Sequence, residues 1–402
     1  MKSRWSRRSI LLAAVLLALV AFLAWRFVRP MNIFVVSEAF ERPIPTNNFP
    51  GSLASLSARA CAVCHQSIYG EWSTTIHSQA WTDPYFQVDW VFDGRQQICK
   101  NCHIPLDRQQ EHLVLGFDDQ EKWKPILKTN PDFDRALQHE GVTCAACHLR
   151  DGEILGVYGS DRAPHPVRKI ADPNEMCLRC HVVGGERWDT FFRIPPCGTV
   201  AEIEATSQTR GQASGTVPGC VQCHMPLTER PLVAGGAMRA VRMHLWRGGH
   251  DPDTVKNGLS VTFEEMPRPP RDGRSFALTI TNVGAAHYFP TGTPDRHLTV
   301  SIRLLNQNGA VLREKEHVLS RTIMWRPFIV DLWDDRLPRG EPRAYRFDYA
   351  EGDYPGAVAI EASVRYHLLA EARRKRIGYA NTDPIAYDVY RARIAVNALE
   401  EK

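Results

Sequence analysis

Cys61-Ala62-Val63-Cys64-His65 is the first of five copies of one pattern, Cys-x-x-Cys-His, in a stretch that closes at His224. The others are Cys99-Lys100-Asn101-Cys102-His103, Cys144-Ala145-Ala146-Cys147-His148, Cys177-Leu178-Arg179-Cys180-His181 and Cys220-Val221-Gln222-Cys223-His224. Here they are motifs I to V. Random placement of 11 cysteines and 15 histidines in 402 residues yields roughly 0.01 copies. Five copies that use ten of the eleven cysteines are therefore not accidental. The spacing is the attachment signature of c-type haem. Two thiols add to the two vinyl groups of a porphyrin, and the adjacent imidazole turns under the ring as proximal iron ligand. The expected cofactor is thus five covalent haem c groups, held by the ten cysteines and by His65, His103, His148, His181 and His224.

Two other readings of paired cysteines fail on this pattern. A disulfide framework needs no histidine after every second cysteine. Zinc knuckles need two ligand pairs per metal and do not fix His as the next residue.

Composition bounds the rest. The chain is 44% apolar and 23% charged, with a net charge of +4, so no charge excess points to nucleic acid. Lys2, Arg4, Arg7 and Arg8 precede an apolar run from Ile10 to Val28 that only Arg26 interrupts. Nineteen helical residues span roughly 28 Å, enough to cross a bilayer core. Residues 1–29 are expected to be a membrane anchor with its N-terminus inside, the alternative being a cleaved signal. Thioether haem is assembled outside the bacterial cytoplasmic membrane, so the expected location is anchored there with periplasmic domains. After signal cleavage it would be the periplasm or the cell surface.

Residues 30–57 carry Pro30, Pro43, Pro45, Pro50 and Gly51 and read as a linker. The pentahaem domain is expected over 58–256. Its motifs begin 38, 45, 33 and 43 residues apart, too little chain to enclose each haem separately. The porphyrins should pack on one another among short helices and long loops, with almost no strand. After His250 come short alternating runs: Leu259–Glu265, Ser275–Asn282, His297–Leu305, Ala310–Leu319, Arg343–Tyr349 and Val358–Leu368. Turn signals separate them, so residues 257–370 read as an antiparallel β-sandwich. Residues 371–402 are expected to be a tail, basic at Arg373-Arg374-Lys375-Arg376, with those charges on a solvated edge. The fold class is α + β and multidomain.

Five irons take up to five further ligands, and ten histidines remain beside the motifs. Filled sixth positions suit electron transfer, whereas an open one suits catalysis. Candidates for the distal role are His77, twelve residues after His65, and His139, five before Cys144. His165 between two prolines, His244 and His250 after motif V, and His112 complete the set. His287 lies in a loop of small residues, Gly284-Ala285-Ala286-His287, and either faces a haem or holds a turn. His297, His317 and His367 alternate with strand residues and read as ordinary. Met225 adjoins a proximal His and cannot reach the opposite face. Met176, Met238 and Met243 have no support as ligands, and Cys197 reads as an inert thiol.

Cys61-x-x-Cys64-His65 followed by Tyr69, Trp72, His77 and Ala80 resembles the opening haem segment of the cytochrome c-554 family, related to hydroxylamine oxidoreductase. His139-Glu140-Gly141-Val142-Thr143-Cys144 looks like a further segment of that group. The resemblance covers about residues 55–250. It implies a loop-rich helical fold, parallel and perpendicular haem pairs, bis-histidine ligation at most irons, and electron transfer. A fifth haem and a β-domain depart from the family's tetrahaem pattern.

The expected function is electron transport along five haems between a membrane-bound donor and a periplasmic or surface acceptor, with no catalytic residue. The alternative is a multihaem reductase or oxidase of a small nitrogen or sulfur compound, although no motif ends in Lys. A third possibility is a subunit of a cytochrome filament, against which the anchor argues.

Overall fold

The computed structural model describes residues 6–28, 41–118, 124–161, 164–182, 190–191, 198–209, 219–267 and 273–396. Cys197 lies outside them. The chain is mixed α/β with an N-terminal apolar helix, Arg7–Val28. Its leucines and valines leave the helix surface exposed along nearly its whole length.

The motifs sit on short helices, as expected. Ala58–Ala62 carries Cys61, and Gln97–His103, Cys144–His148, Glu175–His181 and Cys220–His224 carry the other four motifs. With so little chain per motif, the connecting segments close on themselves. His112–Phe117 pairs with Pro125–Thr129, and Leu227–Pro231 with Met238–Arg242. Leu149–Arg150, Glu153–Gly156 and Val167–Lys169 make a third small sheet. The expectation of almost no strand here is corrected. A connector too short for a packed helix still has to satisfy its backbone N–H and C=O groups, and a local ladder does so.

Residues 41–57 are not a free linker. Ile44 donates its N–H to the Pro105 carbonyl at 2.7 Å and accepts from the Asp107 N–H at 3.0 Å. Ile44 and Leu56 are buried with Leu106, Leu137, Ala145, Ala146 and Leu149. This cluster is the polypeptide's own apolar contribution to the motif-bearing region.

Six C-terminal strands fall close to where the alternation placed them. Arg343–Ala350, Gly273–Asn282 and Leu259–Glu265 form one antiparallel sheet. Val311–Leu319, His297–Asn306, Ala357–His367 and Ala386–Ala395 form another. Alternate residues bury one face of each: Phe276, Leu278 and Ile280 from the first, Leu298, Val300, Ile302 and Leu304 from the second. Both faces belong to one apolar cluster. Each such side chain contributes about 1.5–3 kcal/mol by leaving water.

The tail is corrected too. Ala386–Ala395 supplies the fourth strand of the larger sheet, pairing with Ala357–His367 along its length. Arg373 is not on a solvated edge: it meets Asp89 at 2.5 Å, and its guanidinium lies 5.1 Å from the Phe92 ring. The helix Glu371–Ile377 thereby docks on Pro84–Phe92, between motifs I and II. A second tie joins the helix Thr199–Thr209 to the β region, where Glu202 and Arg336, both buried, pair at 2.5 Å.

Candidate functional site: five clustered Cys-x-x-Cys-His motifs

The motifs, far apart in sequence, converge. The side chain of Cys61 lies beside that of Cys144, that of Cys102 beside Cys180, and that of Cys177 beside Cys220. Motif I therefore adjoins III, II adjoins IV, and IV adjoins V. The segment His139–Thr143 welds two of them. Glu140 accepts from the Ser57 hydroxyl at 2.5 Å and the Ala58 N–H at 2.7 Å, which caps the helix of motif I with a carboxylate. Gly141 has φ +60°, and a Cβ there would stand 2.7 Å from the His77 carbonyl, so only glycine fits.

Four of the five proximal imidazoles are oriented by Nδ1. His65 faces the Leu232 carbonyl at 3.1 Å and His103 that of Ala80 at 2.7 Å. His148 faces Leu155 and His224 faces Arg247, each at 2.8 Å. An Nδ1–H donated to a carbonyl leaves the Nε2 lone pair free for a metal. Burial, the first cause in each case, pushes His77, His103, His244 and His287 down to about 4. They are neutral at pH 7, the form a metal requires.

Opposite four proximal imidazoles stands a second one. Ring centres are 6.5 Å apart for His65 and His165, 6.2 Å for His181 and His77, 6.2 Å for His148 and His244, and 6.5 Å for His224 and His287. Two imidazoles on one iron, at about 2.0 Å per metal–nitrogen bond and about 1.1 Å from nitrogen to ring centre, lie roughly 6.2 Å apart. The residues thus fit an iron between each pair. His244 and His287 also turn Nδ1 to a carbonyl, those of Arg242 at 2.9 Å and Tyr288 at 2.8 Å.

Motif II differs. Among the described residues no second imidazole ring stands opposite His103; Phe86 stacks on it at 3.6 Å, backed by Trp81 and Trp90. The structure does not bring His112, His139 or His250 into such a pairing. His112 is exposed where its strand begins, opposite Thr129. His139 is exposed at the end of Arg135–Gln138, because its neighbour Glu140 takes the inward position. His250 lies after motif V, near Arg296 and Asp83, where burial pushes its imidazole down to about 4.

One reading was left open and one feature was missed. The sequence left His287 either facing a haem or holding a turn, and the structure brings it from the β region to motif V. Trp246, at φ +40°, presents its indole edge-on to His77 at 4.9 Å and to His244 at 5.2 Å. Nothing in the sequence marked it.

Five clustered Cys-x-x-Cys-His motifs, four of them faced by a second histidine, sit on a scaffold whose fold is similar to that of a multihaem c-type cytochrome. The chain resembles a solved structure, the penta-heme cytochrome c552 from Thermochromatium tepidum, with a TM-score of 0.61. That alignment covers 85% of this chain and 98% of the other at 18% identity, a likeness of fold. An X-ray structure of a structural-genomics target also aligns, but its TM-score of 0.16 over 35% of this chain carries no argument. No protein-family model and no curated protein matches the chain.

Proposed function

We propose that the chain is an electron-transfer cytochrome with five covalent haems, held outside a bacterial membrane by its N-terminal helix. The single observation that carries this reading is the set of four opposed imidazole pairs at 6.2–6.5 Å. In it, the ten motif cysteines hold the porphyrins, and His65, His103, His148, His181 and His224 are proximal ligands. His165, His77, His244 and His287 serve motifs I, IV, III and V from the other side. Bound haem supplies a one-electron couple. The polypeptide would hold two imidazoles for each of the irons of motifs I, III, IV and V, ligands that need not move between oxidation states. The two C-terminal sheets form a β-sandwich that closes the motif V site. A membrane-bound donor and a periplasmic or surface acceptor are the partners, and kinship with the cytochrome c-554 family belongs to the same reading.

A mass five haem increments above the bare chain is expected, with at least four low-spin bis-imidazole signals in low-temperature EPR. A colourless protein or fewer increments overturns the proposal.

His103 favours a second reading, a reductase or oxidase of a small nitrogen or sulfur compound at motif II. An iron with Phe86 and two tryptophans around its histidine, and no second imidazole, leaves one position for a substrate. Sustained oxidation of a reduced dye by nitrite, hydroxylamine or sulfite would establish that activity.

A further inference from the structure

We propose that the hairpin formed by Arg321–Met324 and Ile329–Asp334 rests in the headgroup layer of the bilayer that Arg7–Val28 crosses, forming a second membrane contact. The inference rests on reading that helix as a retained anchor. It starts from Arg26, the one charge in the apolar run. In a helix whose other residues are almost all exposed, Arg26 is 1% exposed. Its Nε donates to the Pro327 carbonyl at 3.0 Å, and its guanidinium lies 5.7 Å from the Phe328 ring. Arg326 returns the contact by donating to the Phe27 carbonyl at 2.5 Å, and Phe22 stands 6.5 Å from Phe328. The hairpin's turn is thus seated on the last turns of the helix, where a membrane span would meet water. A cleaved leader has no use for such a seat.

The same hairpin exposes what a headgroup layer accepts. Trp325 is 37% exposed, Leu332 49% and Trp333 54%, while Phe191, on the strand beside Val330, is 57% exposed. Indole rings concentrate at membrane interfaces because one edge is apolar and the N–H is polar. The hairpin's carboxylates are neutralised: Arg321 holds Asp331 through two bonds of 2.9 Å, and Arg336 holds Asp334 at 2.8 Å. The hairpin therefore brings apolar and aromatic surface to the membrane with both of its carboxylates paired. Helix and hairpin together would fix the orientation of the motif cluster on the membrane.

The test uses the full-length holoprotein in phosphatidylcholine–phosphatidylglycerol vesicles carrying diazirine lipids, one probe near the headgroup and one deep in the chain. Labelled peptides are mapped by mass spectrometry. The expected result is headgroup-probe labelling of 325–333 and deep-probe labelling of Arg7–Val28. Trp333→Asp should then lower labelling of the hairpin and leave the helix unchanged. Labelling of the helix without the hairpin overturns the proposal and leaves the anchor standing; the exposed aromatics would then belong to a protein partner. Labelling of neither shows that the anchor reading itself has failed.

Discussion

The imidazoles of His224 and His287 lie 6.5 Å apart with their planes 10° from parallel, one from motif V and one from the loop between two β-strands. The β region is thereby part of the motif V site and not an appendage beside it. Replacing His287 by Ala leaves both thioethers of motif V possible. The mass should still show five haems, while one low-spin EPR signal converts to high-spin. An unchanged set of low-spin signals would exclude His287 as a ligand.

Trp246 contacts both His77 and His244, so one side chain buttresses the imidazoles that face His181 of motif IV and His148 of motif III. Trp246→Ala should perturb two EPR signals together and leave that of the His65–His165 site alone. Its stability cost should fall below the roughly 3–5 kcal/mol of a fully buried tryptophan. Trp246 is only half-buried.

Glu71 receives both Arg230 nitrogens, at 2.5 and 2.8 Å, and the backbone N–H of His244 at 2.8 Å. Burial alone would raise this carboxyl, but the hydrogen bonds from Arg230 and His244 outweigh it and hold it below the ordinary range. A depressed folded value stabilises above the unfolded pKa and loses that contribution as pH falls through the folded one. Glu71→Gln should cost about 2 kcal/mol at pH 7. In denaturant titrations the gap from wild type should close as pH drops below about 4.

Gly141 brings its backbone against the segment that carries His77. Gly141→Ala adds about 1–2 kcal/mol of left-handed strain and a Cβ 2.7 Å from the His77 carbonyl. The motif IV spectrum should shift, because the His77 imidazole must move with its backbone. Glu140→Ala is the contrasting change: it removes a helix cap, costs about 0.5–2 kcal/mol and leaves the motif IV spectrum unaltered.

The amino-acid order alone determined whatever is local. Five Cys-x-x-Cys-His copies announce five attachment sites, since both thiols and the imidazole must reach one ring within five residues. Period-two alternation placed Leu259–Glu265 and its neighbours as strands, because opposite faces of a strand meet opposite environments. Only tertiary structure decided which imidazole faces which. His165 opposes His65 and His287 opposes His224 through chain closure, which leaves no periodic trace. The same holds for Glu140 turning inward while His139 turns out, and for Ala386–Ala395 entering the sheet. In each, a choice between neighbouring residues was made by a partner distant in the chain.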